Sequence, residues 1–232
     1  MGKYRVIYFD LDATLWDHAR NSAAAISQVW RDAAEVNRRA GEDEFWTVYD
    51  RENEDLWAEY RAGRIAKDAI RLTRFVNTLK RFGCEDEALA RRLSDAYLVY
   101  YQRQPHLVEH AREVLDYLRG RYPLGILTNG FREVQNSKLT AGGIAEYFRY
   151  FINSEAVGHP KPHPAMYEAA VRQGGATKET TLVVGDDLEN DILGAKRFGL
   201  PAIYFNPHRR PYRADPAPDY EVASLLELKE LL

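Results

Sequence analysis

The sequence predicts an α/β protein whose doubly wound parallel sheet is interrupted, after its first strand, by an inserted helical subdomain. Three observations carry this prediction. Short apolar runs recur at 4–9, 124–128, 150–153, 181–184 and 202–205, and read as strands buried on both faces. Between the later runs lie segments with apolar residues at helical spacing. The stretch 16–105 breaks this rhythm, being charged, almost free of proline and rich in helix formers.

The first run, 4–9, cannot stand alone and must rejoin the later strands across the interruption. Within the interruption, helices are predicted over about 19–40, 43–62, 65–82 and 86–103, with Gly41, Gly63 and Gly83 near their ends. The core is therefore 1–15 with 106–232, a Rossmann-like sheet, and 16–105 is a helical cap. Val108, Ala111, Val114, Leu115 and Leu118 form one helical stripe ahead of the strand at 124–128. Residues 131–139, with Val134 and Lys138 at helical spacing, follow it. After the strand at 150–153, Pro164 suits the first turn of a helix carrying Met166, Ala169, Ala170 and Val171. The strand at 181–184 leads into a helix with Leu188, Ile192, Leu193 and Phe198. Beyond 202–205, four prolines and three arginines in 206–218 mark an irregular surface loop before a closing strand and helix.

At 232 residues the chain can bury a sizeable core. A formal charge of −3 leaves no basic footprint, so a nucleic-acid polymer is not the expected partner. No apolar stretch reaches the roughly 18 residues a membrane span needs. The opening MGKYRVIYFDLD meets acids too early for a secretory signal, and Gly2 is followed by Val6 where an acylation signal has Ser or Thr. One cysteine, Cys84, rules out an internal disulfide. The expectation is a soluble cytoplasmic protein.

Ligands of parallel sheets collect at the carboxyl ends of the strands. There the sequence places Asp10, Asp12 and Thr14; then Thr128, Asn129 and Gly130; then Gly185, Asp186, Asp187 and Asp191. His159-Pro160-Lys161-Pro162 lies between the third and fourth strands. A solvated loop would explain Asp10 and Asp12 alone. Convergence of all these groups on one edge would not be stable without compensation: two like charges 4 Å apart cost about 4 kcal/mol at an effective dielectric of about 20. Hard carboxylate oxygens without His or Cys neighbours suit Mg²⁺, and a cation with Lys161 would make a basin for a dianion such as phosphate. Thr128-Asn129-Gly130 could turn a hairpin, but the residues after it show helical spacing, which favours a strand-to-helix phosphate loop. Prolines on both sides of Lys161 fit an exposed stiff turn or a cation held in a prepared position.

Asp10-Leu11-Asp12-Ala13-Thr14, then Thr128-Asn129, then Lys161, then Gly185-Asp186-Asp187-Leu188-Glu189-Asn190-Asp191 resemble the four ordered motifs of the haloacid-dehalogenase-like (HAD) hydrolases. The resemblance covers the whole core, and 16–105 falls where that family places its first type of cap. It implies a Mg²⁺-dependent phosphomonoester hydrolase working through an aspartyl-phosphate. Asp10 would be the nucleophile and Asp12 the acid, then the base. Thr128, Asn129 and Lys161 would bind phosphate, and Asp10, Asp12 and Asp186 the metal. Thr14, Asp187 and Asp191 are secondary candidates: Asp186 or Asp187 could merely cap the following helix, and Asp191 could act through water or orient Lys161. Ala13 stands where the family usually has Gly or Asp, which removes tolerance for positive φ.

Trp16, Trp30, Trp46 and Trp57 fall at the entrance to the cap or in its first half. Packing of the small helical subdomain is the stronger reading for most of them, with Trp16, just past Thr14, the one expected to face substrate. A cap implies a small phosphorylated substrate enclosed on closure. Within the family, Leu127-Thr128-Asn129-Gly130-Phe131 with Glu133-Val134-Gln135, and Ser154-Glu155-Ala156-Val157-Gly158, resemble pyrimidine nucleotidases of the YjjG type, which adds nucleoside 5'-monophosphates to the candidate substrates. The alternatives are a phosphomutase, a haloacid dehalogenase, for which Asp12 and Asp186 would be superfluous, and a non-catalytic regulatory protein on the same fold.

Overall fold

The computed structural model describes residues 3–232; Gly2, weighed above for acylation, lies outside them. The chain divides into two compact units, one made of the segment up to His18 and from Pro105 onward, the other of Ala19–Gln104.

The first unit is built on β1 (Val6–Phe9), β2 (Leu124–Thr128), β3 (Phe148–Asn153), β4 (Thr181–Gly185), β5 (Ala202–Phe205) and β6 (Tyr220–Val222). They form one sheet in the order β3-β2-β1-β4-β5-β6, parallel throughout. This is the Rossmann order, in which chain direction across the sheet reverses beside β1 and opens a crevice at the strands' carboxyl ends. The predicted α/β class is the class observed. Every residue of β1, β2, β4 and β5 is buried, which is why these strands read as unbroken apolar runs. Burial of a large apolar side chain contributes about 1.5–3 kcal/mol, so Val6, Ile7, Tyr8 and Phe9 anchor β1 firmly enough to end in a carboxylate. Asp10 N–H still donates to Val184 O at 2.9 Å, which holds the end of β1 against β4.

Local signals are clearest at one helix after β3. Pro164 opens the helix Pro164–Gly174, His163 caps it, and Gly175 closes it at φ 58°. The helix Arg132–Ala141 starts directly after the loop that follows β2, and buries Val134, Gln135, Lys138 and Leu139. After β4 the chain takes a widened turn, Leu188–Leu193, before the short helix Gly194–Phe198. The third strand begins at Phe148, two residues ahead of the predicted start.

The second unit is helical: Glu42–Arg61, Lys67–Arg81 and Glu87–Tyr101 follow the predicted spans closely. The single helix expected over 19–40 is instead two, His18–Asp32 and Ala34–Asn37, parted at Ala33 (φ −116°, ψ 83°). Neither Pro nor Gly marks that break. Tyr49, Phe75 and Tyr97 form the centre of this unit, with ring centroids 5.1, 5.2 and 5.7 Å apart, and the Arg74 guanidinium sits 4.6 Å from the Tyr97 ring centre. Such aromatic pairs contribute about 0.5–1.5 kcal/mol each beyond their burial. Trp30, Trp46 and Trp57 are half-buried around it, and Trp30 Nε1–H donates to Ala40 O at 3.0 Å. Among the described residues no helix is long and apolar enough to cross a membrane.

Candidate active site

The crevice beside β1 is built from four strand ends. Asp10 continues β1 and is 8 % exposed. Lys161, only 3 % exposed, reaches it from the loop after β3: its Nζ donates to Asp10 Oδ1 at 2.6 Å, to Asp191 Oδ1 at 2.6 Å and to Leu127 O at 2.8 Å. Three acceptors match the three donors of an ammonium, so this buried cation is fully satisfied. The Asn129 side chain fixes the backbone from which Lys161 projects, accepting from Lys161 N–H at 2.7 Å and donating to Lys161 O at 3.0 Å. The Asn129 side chain is thereby committed to the Lys161 loop.

Asp186 follows β4 and accepts from the buried Thr14 hydroxyl at 2.8 Å. Asp191 is carried back toward Asp186 by the widened turn, so carboxylate oxygens of Asp10, Asp186 and Asp191 all lie within 4.8 Å of one another. Gly185 permits this approach, since a Cβ there would sit 2.3 Å from Asp191 Oδ2. Asp187 caps the turn, accepting from the backbone N–H groups of Glu189 and Asn190 at 3.0 and 2.9 Å.

Electrostatics follow the geometry. Burial raises the Asp10 carboxyl well above the ordinary carboxylate range against the pull of Lys161, with Asp191, Asp186 and Asp12 adding to the rise. Burial and then Asp191 push Asp186 up to about 7, opposed by the Thr14 bond. Asp191 is likewise raised by burial, with Lys161 opposing. Burial pulls the Lys161 ammonium down, but Asp10 and Asp191 together outweigh it and hold it above its ordinary value. Three carboxylates around one ammonium form a site short of positive charge. Its donors are hard oxygens with no His or Cys among them, which fits a divalent cation such as Mg²⁺.

Asp12 is placed differently from the expected metal set. Its carboxylate stands outside the three-acid group and is held by Lys138 Nζ at 2.6 Å on Oδ1 and Gln135 Nε2 at 2.8 Å on Oδ2, with His18 Nδ1 3.8 Å away. Burial pushes this carboxyl up, but Lys138 and His18, with the two hydrogen bonds, more than offset it and leave it below its ordinary value. Thr128 Oγ1 accepts from Gln135 Nε2 at 2.7 Å and from Gly130 N–H at 3.0 Å. With both lone pairs engaged, its own proton is free to be given to a ligand in the crevice.

Lys138, Gln135 and His18 were not singled out from sequence. Trp16 also differs from expectation. It lies in the sheet unit, is fully buried, and has Lys138 Nζ 4.5 Å from its ring centre, so its indole supports a cation instead of facing substrate. Ala13 takes φ 63°, the left-handed conformation its usual family residues tolerate better, with its N–H donating to Trp16 O at 2.8 Å.

A parallel sheet thus carries a lysine-held aspartate and an acid cluster suited to a divalent cation at its switch point. Comparison with known proteins agrees: the description "haloacid dehalogenase-like hydrolase" matches residues 4–199, and the chain belongs to that family. Pyrimidine 5'-nucleotidase PynA of Streptococcus pneumoniae is 32 % identical over 231 residues, 99 % of this chain and 95 % of the relative. Pyrimidine 5'-nucleotidase YjjG of Escherichia coli is 31 % identical over 231 residues, 99 % of this chain and 98 % of the relative. Among solved structures, HAD-hydrolase YfnB of Bacillus subtilis bound to magnesium has a TM-score of 0.89 at 26 % identity and covers 99 % of both chains.

Proposed function

We propose that this protein is a Mg²⁺-dependent phosphomonoester hydrolase acting through an aspartyl-phosphate at Asp10, on a small cytoplasmic metabolite of the nucleoside 5'-monophosphate class. The observation that carries this reading is the buried Asp10–Lys161–Asp191 array beside Asp186. Support for the substrate class comes from the names of PynA and YjjG. The single Cys84, free and buried, suits a reducing compartment.

Asp10, Asp186 and Asp191 would hold the cation, with Asp12 assigned to proton transfer in place of a ligand role for its carboxylate. When bound, the ion would supply charge to balance these acids and the incoming phosphate dianion. Lys161 fixes one Asp10 oxygen and leaves the other available to attack phosphorus. The Thr128 hydroxyl would orient a phosphate oxygen, whereas at the start of the helix Arg132–Ala141 the Arg132 N–H is already held by Glu155 Oε2 at 2.8 Å. Asp12 would give a proton to the leaving oxygen and take one from the water that releases phosphate. Phosphate-monoester hydrolysis is among the slowest uncatalysed reactions, so fixed charge and orientation must carry most of the barrier. A dehalogenase would need neither Asp12 nor the acid cluster. Asp10→Asn tests the reading: phosphate release should vanish while the circular-dichroism spectrum is kept, and retained turnover would refute it.

A further inference from the structure

Lys138 and Gln135 stand three apart on the helix Arg132–Ala141 and so share one face. That face is buried: Lys138 is 3 % exposed and Gln135 is fully covered. Burying a lysine and a glutamine beside Val134 and Leu139 is costly unless their polar ends are used. Their donor ends converge on one carboxylate, while Gln135 Oε1 is buried without a hydrogen-bond partner among the described residues. Lys138 takes Asp12 Oδ1 and Gln135 takes Oδ2, and the same Gln135 nitrogen reaches Thr128 Oγ1.

The pattern is specific in three respects. Both partners are donors, one on each oxygen, which suits a carboxylate carrying no proton. A carboxylate has about four lone-pair sites, so two donors leave capacity for a water, and the Asp12 side chain remains 31 % exposed. Finally, Lys138 is itself fixed from behind by the Trp16 ring. A side chain on the loop after β1 is thereby held through both carboxylate oxygens and linked through Gln135 to Thr128.

We propose that Lys138 and Gln135 are positioning residues for the second half of the reaction, holding the Asp12 carboxylate as the base on the water that cleaves the phosphoenzyme. In that step the water oxygen bonds to phosphorus as the bond from phosphorus to the Asp10 oxygen breaks. The water proton passes to Asp12, and inorganic phosphate and the Asp10 carboxylate are released. The first half is less dependent on the clamp when the leaving group needs no proton. This inference rests on the phosphatase reading above.

The test uses 4-nitrophenyl phosphate, whose leaving group departs as the anion, with Mg²⁺ present. Lys138→Met should lower steady-state turnover by about 10²-fold, in the range typical of lost acid–base catalysis. The fraction of enzyme carrying phosphate on Asp10, read by mass spectrometry after acid quench, should rise above wild type. Gln135→Met should show the same signature more weakly, and Lys138→Arg should restore turnover and lower the phosphoenzyme fraction. Melting curves identify any variant that fails to fold, and Gln135→Met then carries the test. Turnover that is unchanged, or that falls without phosphoenzyme build-up, overturns the proposal. Wild type that releases no phosphate from any ester would instead overturn the underlying phosphatase reading.

Discussion

Replacing Asp186 by Asn in protein freed of divalent ions should make the sheet unit more stable at alkaline pH. The Asp186 carboxyl titrates near 7 in the fold against an ordinary 3.8, because of burial and the neighbouring Asp191. The folded state therefore binds the proton more tightly than the unfolded chain throughout that window, and stability falls as pH rises. Over the two pH units from 5 to 7, at about 1.4 kcal/mol each, the loss is about 3 kcal/mol. For a protein of this size that is about 6–12 °C in melting temperature. Asn cannot ionise, and its oxygen can still accept the Thr14 hydroxyl bond seen at 2.8 Å. Melting curves at pH 5 and pH 8 in chelator should show a steep decline for wild type and a flatter one for the variant. Adding Mg²⁺ at 100 times its dissociation constant should return about 2.7 kcal/mol to wild type and much less to Asp186→Asn. Equal pH slopes for the two proteins, or equal Mg²⁺ responses, would refute the reasoning.

Lys161→Met would strand two buried carboxylates, and should cost about 3–5 kcal/mol in urea unfolding in chelator, with phosphatase turnover lost. Gly185→Ala would press a methyl group against Asp191, and should cost about 1–3 kcal/mol with weaker Mg²⁺ binding by calorimetry. Ala13→Gly would relieve a left-handed residue at the expense of chain entropy. It should change stability by no more than about 1 kcal/mol in denaturant titration and leave turnover near wild type.

The sheet was legible because strands buried on both faces are unbroken apolar runs, and the acids stood out because Asp10, Asp12 and Asp186 follow such runs directly. Side-chain direction was not legible. Asp12 lies two residues from Asp10 and reads as its companion, yet its carboxylate turns to Lys138 and Gln135. The signal for those partners was present: two polar residues three apart on the apolar face of a helix, directly after Thr128-Asn129-Gly130. In the sequence the two appear only separately, Lys138 in the helical spacing from Val134 and Gln135 within Glu133-Val134-Gln135. Asp191 depended on the widened turn Leu188–Leu193, whose register no local residue type announces. Trp16 was placed by proximity to Thr14, whereas the loop folds back and hydrogen-bonds Trp16 O to Ala13 N–H, turning the indole inward.

The most direct measurement is inorganic-phosphate release from a panel of nucleoside 5'-monophosphates and sugar phosphates, with and without Mg²⁺, beside halide release from 2-haloacids. A nucleophilic Asp10 served by Lys161 and a cation-loaded acid cluster predicts Mg²⁺-dependent phosphate release and no halide. Halide release without metal, or no phosphate from any ester, would contradict it.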